Sequence, residues 1–252
     1  MPNGLAIVHQ NRNETDYLYD EIFVKQSYLR GGVSLPADAC VVDVGANIGY
    51  FSLLASTLVG SDGCVHAFEP DPVNADLLRK NVRLNRASNV KVIQAALSNN
   101  DEPVHLFIDS NNKGDHRIWE PTGESRTKIT VKCTTLDHYL HETSTVPKFI
   151  KIDVQGAEGR VLEGMKETLA ETAPMYLILE FWPEALRKCQ TDPKRVIQQI
   201  AEAGFNIRVI ADDQLLGKNV IIKESFSAAN AQALIDLADT APYQQIDLLC
   251  VR

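Results

Sequence analysis

Short runs of consecutive apolar, often β-branched residues alternate along the chain with segments whose apolar positions recur every three or four residues. The runs Cys40–Val44, Cys64–Phe68, Val90–Ile93, Phe149–Asp153, Tyr176–Phe181 and Asn206–Ile210 read as strands. Between them, Gly49–Thr57, Pro72–Asn85, Ala157–Leu169 and Pro193–Ala203 read as helices. Short, uniformly apolar strands separated by helices suit a parallel sheet covered on both faces. Two further runs, Pro103–Ile108 and Lys128–Cys133, have no helix between them and form an inserted strand pair around the polar stretch Asp109–Thr127. A loop of that length in a compact domain is functional or mobile. The chain closes with a hairpin strand near Asn219–Ile222, a helix near Ala228–Leu237 and a last run, Ile246–Val251. Before Pro36, Tyr17, Tyr19, Ile22, Phe23 and Tyr28 supply the apolar side chains of an added helical piece. With no linker or repeat in the pattern, one domain is expected over residues 1–252. It comprises a helical extension at 1–38 and an α/β core at 39–252.

Composition narrows the class. The chain is 44% hydrophobic and 23% charged, which excludes a disordered or fibrous protein, and 252 residues suffice to bury a core without staples. Twenty-five basic against 33 acidic residues leave a net charge of -8, so nucleic acid is not the expected partner. Apolar runs such as Met175–Trp182 fall far short of the roughly 20 residues that cross a bilayer. The first 15 residues hold no apolar stretch of signal-peptide length, so a cytoplasmic protein without a membrane partner is expected. The five cysteines, Cys40, Cys64, Cys133, Cys189 and Cys250, are scattered, and their spacing suggests neither a disulfide framework nor a zinc site. The oligomeric state stays open.

The most informative stretch is Val41-Val42-Asp43-Val44-Gly45-Ala46-Asn47-Ile48-Gly49-Tyr50. A buried strand runs into glycines and then a helix, a turn in which Gly45 lets the backbone approach a ligand and the helix offers free N–H groups. Asn47 stands where a dinucleotide fingerprint wants its second glycine. Asp43 would repel a pyrophosphate but suits an ammonium. Glu69, 20 residues after Gly49 at the tip of the next strand, can accept from both hydroxyls of a ribose. S-adenosylmethionine fits a ligand with a ribose, a cationic amino-acid end and no phosphate.

Together with Asp43–Gly49, the blocks Phe68-Glu69-Pro70, Thr135-Leu136-Asp137 and Ile150-Lys151-Ile152-Asp153-Val154-Gln155-Gly156-Ala157-Glu158 resemble those of the FkbM-type methyltransferases. The resemblance runs from about Cys40 to Phe181. It implies a Rossmann-like class I methyltransferase fold, with a seven-stranded, mostly parallel sheet whose last strand is antiparallel. It also implies S-adenosylmethionine as cofactor and O-methylation of a hydroxyl on a sugar, polyketide or other secondary metabolite. The cofactor-binding set would be Asp43, Gly45, Ala46, Asn47, Gly49, Glu69, Pro70, Ala95, Ala96 and Asp153. Ala95 and Ala96 enter as backbone contacts to the adenine. Gln155 departs from the family, which usually carries Glu there.

Near the transferred methyl, Asp153 and Glu180 end adjacent strands, where α/β sheets bind ligands. Asp153 suits the cofactor's amino group or the acceptor hydroxyl, and could instead cap the following helix. Glu180 suits the hydroxyl. Among the histidines, His66 and His105 lie in strand-like runs and read as partly buried, whereas His9, His138 and His141 read as solvated. His116, in the long loop beside Trp119, is the candidate general base. Asp153 and Glu180 with Glu158 or Asp137 also offer an oxygen site for magnesium, although nothing in the spacing fixes one. Two alternatives to the methyltransferase are a nucleotide-cofactor oxidoreductase and a non-catalytic nucleoside-binding module.

Overall fold

A computed structural model describes the chain except Asn11, Arg30, Gly31, Asn111, Lys113 and residues 211–220, with backbone only at residues 12–14 and 221–225. The strands are β1 (Cys40–Val44), β2 (Cys64–Phe68), β3 (Val90–Ile93), β4 (Ala96–Leu97), β5 (Val104–Ile108), β6 (Thr127–Val131), β7 (Cys133–Thr134), β8 (Phe149–Ile152), β9 (Tyr176–Phe181), β10 (Asn206–Ile210), β11 (Ile221–Phe226) and β12 (Ile246–Val251). Eight of them form one sheet in the order β11-β10-β12-β9-β8-β1-β2-β3. Strands β3, β2, β1, β8 and β9 are parallel. The last strand, β12, inserts antiparallel between β9 and β10.

The expected seven-stranded sheet is therefore present, with an eighth strand added at its edge. β11 folds back antiparallel on β10. It overlaps the strand expected near Asn219–Ile222, of which Asn219 and Val220 lie outside the described residues. The inserted pair is also present, as β5 and β6 in a separate antiparallel hairpin.

All five residues of β1 are buried because both faces of the sheet are covered. Val42, Val44, Ile150 and Ile152 pack on one side with Val161, Leu162, Val196 and Ile197. On the other side Val41 and Phe149 pack with Phe51, Leu54 and Ile22, so the amino-terminal segment belongs to this core. Helix α1 (Arg12–Tyr19) and the turns after it carry Phe23, which meets Tyr50 edge-on, and Tyr28, which meets Phe51 edge-on. Helices α2 (Tyr50–Val59) and α3 (Pro72–Leu84) link β1, β2 and β3. Helix α4 (Leu136–Thr143) was not foreseen; Thr135 caps it by accepting from the His138 amide. The helix expected over Ala157–Leu169 is two, α5 (Glu158–Glu163) and α6 (Lys166–Ala170), split at Gly164. A side chain at Gly164 would stand 1.9 Å from the Ser98 carbonyl oxygen, so tertiary packing breaks a segment whose periodicity is continuous. Helices α7 (Pro183–Lys188) and α8 (Pro193–Glu202) follow β9. No described helix is long and apolar enough to cross a membrane.

Candidate active site

A cleft of about 780 Å³ opens at the carboxyl ends of β1, β2, β8 and β9, where an α/β sheet binds ligands. The strand tips form its floor. Tyr17, Glu21 and Tyr28 line it from the amino-terminal segment, His116 and Arg117 from the long loop, Tyr243 from the last crossover and Asp247 from the start of β12.

The glycine turn is built to hold a carboxylate. Gly45 and Ala46 donate to the Phe68 carbonyl, Gly49 donates to the Ala46 carbonyl, and Asn47 donates to Glu69 Oε2 at 2.8 Å. Asp71 donates to Glu69 Oε1 at 2.9 Å. The N–H groups of Gly45 to Gly49 are thus satisfied within the turn, contrary to the expectation that this segment leaves them for a ligand. What they present is Glu69 itself, with lone pairs remaining on both oxygens. Burial pushes its pKa up to about 8 against the two amide bonds. Gly45 has φ +81°, and a Cβ there would fall 2.0 Å from the Asp153 carbonyl oxygen. The glycine is required by the approach of β8 to the turn, a reason separate from its place in the cleft lining.

Asp43 lines the cleft too, but it has partners within the protein that the sequence did not show. Its carboxylate has no exposure; it accepts from Ser52 Oγ at 2.6 Å and stands 3.6 Å from Lys151 Nζ. Its charge is matched inside the protein, so it is not a bare anion awaiting an ammonium. Lys151, buried as well, also reaches Asp153 Oδ2 at 3.3 Å. Burial disfavours its charge, but Asp153 and Asp43 outweigh that and hold its pKa above the ordinary lysine value. Asp153 does not cap a helix. Glu158 fastens that loop instead, accepting from the amides of Val154 and Gly156.

Sequence reasoning missed three neighbours of Asp153: Lys151, Tyr28 and Gln155. Tyr28 Oη donates to Asp153 Oδ2 at 3.4 Å, and Gln155 Nε2 donates to Asp153 Oδ1 at 3.1 Å and to Glu180 Oε2 at 3.0 Å. Lys151 and Gln155 were inside the recognised block, but only the folded loop shows their role. A glutamine at 155 is intelligible here, because its amide joins two carboxyl groups that a third would repel. Glu180 is buried, and its pKa is pushed well above the usual carboxylate range, chiefly by burial and then by Asp153, Glu158 and Asp247.

In the loop, Asp109 donates its backbone N–H to His116 Nδ1 at 3.2 Å, and Nε2 lies 3.8 Å from Asp71 Oδ2. The nitrogen that accepts is therefore occupied, and the one that carries the proton faces a carboxylate beside Glu69. That weakens the expectation of a base. The Arg117 guanidinium lies between the rings of Trp119 and Trp182, 4.6 and 5.0 Å away, and is clamped by Asp115. Trp119 Nε1 donates to the Gln155 carbonyl, so the loop is fastened over the Asp153–Glu180 end of the cleft.

The remaining expectations are met unevenly. Ala95 and Ala96 line the cleft, but their N–H groups donate to Ile93 and Lys132 carbonyls, leaving carbonyls and methyl groups to face a base. Asn47 and Pro70 line it beside Glu69. Gly49 heads α2 at φ +99° against Leu78. His66 is buried as expected, whereas His105 is exposed on the hairpin. His9, His138 and His141 are exposed. Asp137 caps α6 through the amides of Glu167 and Thr168. With Glu158 committed to its loop, these carboxylates do not converge on a magnesium position.

The donor set fits S-adenosylmethionine. A carboxylate positioned by two amides can take the ribose hydroxyls. An acidic lining that includes Asp153, Glu180, Asp247 and Glu21 suits a ligand carrying a sulfonium and an ammonium. Residues 43–207 match the methyltransferase FkbM domain. A 31-O-demethyl-FK506 methyltransferase of Streptomyces tacrolimicus is 46% identical over 98 residues, 39% of this chain and 37% of that one. The methyltransferase sdnD of Sordaria araneosa is 29% identical over 204 residues, 69% of this chain and 78% of that one. Among solved structures, precorrin-6y C5,15-methyltransferase of Geobacter metallireducens GS-15 superposes with a TM-score of 0.50 at 15% identity, covering 99% and 94% of the two chains; that likeness concerns the fold. The oxidoreductase alternative loses its footing, and the chain belongs to the FkbM family of S-adenosylmethionine-dependent methyltransferases.

Proposed function

We propose that this enzyme methylates a hydroxyl oxygen of a neutral small molecule, a sugar, polyketide or other secondary metabolite, with Glu180 as the general base. The observation that carries the reading is a buried carboxyl with a raised pKa, tied through Gln155 to Asp153 at the cleft end roofed by Trp119 and Trp182. The relative's name, 31-O-demethyl-FK506 methyltransferase, supports oxygen as the acceptor atom.

Bound S-adenosylmethionine supplies a methyl group on a sulfonium, an electrophile that needs no metal. Glu69 would accept its ribose hydroxyls, Ala95 and Ala96 would border the adenine, and Asp153 would face its amino-acid end. Asp153 makes a poor base, because Lys151 and Tyr28 share one of its oxygens and Gln155 takes the other. Glu180 keeps Oε1 for the acceptor. Once ionised it takes the hydroxyl proton, and a pKa raised by burial makes it a stronger proton acceptor than an ordinary carboxylate. Trp119, Arg117 and Trp182 keep water off the reacting centre. Holding the acceptor in line supplies about 7–11 kcal/mol of the barrier.

The test is incubation with trideuteromethyl-labelled cofactor and a panel of hydroxylated, aminated and carboxylated acceptors, with products read by mass spectrometry. Label in an ether linkage is expected; label confined to nitrogen, carbon or carboxylate products would overturn the assignment.

A further inference from the structure

At the amino ends of β1 and β2, opposite the cleft, three metal-ligating side chains meet. Cys40 is level with Cys64 in the parallel register, and His66 lies two residues further along β2 on the same face. The two sulfurs and one ring nitrogen all lie within 4.8 Å of one another. The histidine ring is held in place: Nδ1 is 2.6 Å from Tyr139 Oη, and the two rings meet edge-on at 5.4 Å. An outer partner of this kind orients metal-ligating histidines. Cys40 and His66 are buried, whereas Cys64 is partly open to solvent, which gives an ion a way in. The 23 residues between the cysteines hid this pair in the sequence, and strand pairing reveals it.

We propose that Cys40, Cys64 and His66 bind one zinc ion, with a water completing the tetrahedron on the open side of Cys64. Sulfur and imidazole are zinc donors, and no oxygen cage for calcium or magnesium is present here. On binding, both thiols release their protons to solvent. A divalent ion and two thiolates then sum to zero charge, the favourable balance for a buried site. Copper(I) shares the donor preference but would leave a net negative charge. With ligands about 2.0–2.3 Å from zinc, the donor atoms need to draw in by up to about 1 Å, which side-chain rotation provides.

The experiment titrates reduced, metal-free wild-type protein with zinc chloride and, separately, with cobalt(II) chloride. One zinc per chain should survive gel filtration, and cobalt should show sulfur-to-metal charge transfer of two-thiolate intensity. Cys40→Ser/Cys64→Ser should lose both signals, and His66→Gln should bind zinc at least tenfold more weakly. Affinity for S-adenosylmethionine should stay within a few-fold, because the site is at the far end of the strands from the cleft. Wild-type protein that retains no more zinc than the double variant would overturn the proposal. If that variant does not fold, a wild-type cobalt spectrum without sulfur charge transfer overturns it alone.

Discussion

Glu180 and Gln155 concentrate the chemistry at the scale of single residues. Glu180 must lose a proton before it can accept one, and its pKa lies well above the ordinary value. Turnover should therefore rise with pH through that elevated pKa, and Glu180→Gln should abolish the limb while lowering kcat by roughly 10²–10⁴. A pH–rate profile of both proteins checks this; near-normal turnover in the variant would move the proton to His116 or Asp153. The same comparison with His116→Ala should give the smaller loss, since Nδ1 already accepts from Asp109. A glutamate at position 155 would add a third carboxylate between Asp153 and Glu180, where the Gln155 amide now donates to both. Gln155→Glu should lower kcat and shift the pH limb to still higher pH. Glu180 and Asp153 were legible in the sequence as candidates, and Gln155 as part of a recognised block, but the hydrogen bonds that join them were not. The blocks identified which residues belong to the site, but partners such as Lys151 with Asp43 depend on which side chains face each other across β1 and β8.

At the scale of elements, most strands were legible, because a buried parallel strand is apolar on both faces and ends at a turn; β1, β2, β3, β9, β10 and β12 occupy the expected ranges. The failures have tertiary causes. α5 and α6 separate because Gly164 packs on Ser98, and α4 rests on the Thr135 cap after a strand of only two residues. The Gly45 turn is where element and site meet. Its φ of +81° and the 2.0 Å approach of a Cβ to the Asp153 carbonyl mean that Gly45→Ala forces β1 and β8 apart. The left-handed conformation alone costs about 1–2 kcal/mol, so chemical denaturation should show at least that loss, with or without cofactor. Unchanged stability with lost binding would favour the ligand-clash reading. The amino-terminal segment acts on the site through Tyr28, whose hydroxyl reaches Asp153. Tyr28→Phe should fold normally, because the packing on Phe51 remains, and should lower kcat less than tenfold.

For the whole molecule, several buried carboxyl groups near the cleft dominate the response to pH. Glu69 is raised to about 8 and Glu158 to about 7, both chiefly by burial. A carboxyl whose pKa is higher folded than unfolded retains protons that the unfolded chain releases, so its contribution to stability is lost as pH rises through the folded value. Lys151 is raised in the folded state too, but its effect falls above the ordinary lysine range. The ligand-free protein should thus have a higher Tm at pH 6.5 than at pH 8.5, measured by scanning calorimetry at fixed ionic strength; the reverse order would show that these groups are already ionised when folded. The acidic lining also makes binding of the cationic cofactor salt-sensitive. Its Kd should climb with ionic strength more steeply than that of S-adenosylhomocysteine, which lacks the sulfonium charge.

The central claim is that this cleft takes S-adenosylmethionine with its ribose on Glu69, and calorimetric titration tests it most directly. Wild-type protein should bind one equivalent, more tightly as pH rises towards 8, because Glu69 must ionise to accept two hydroxyls. Glu69→Gln, with unchanged circular dichroism, should bind about 2–3 kcal/mol more weakly and lose that pH dependence. An unchanged Kd in the variant, with the pH dependence intact, would contradict the account.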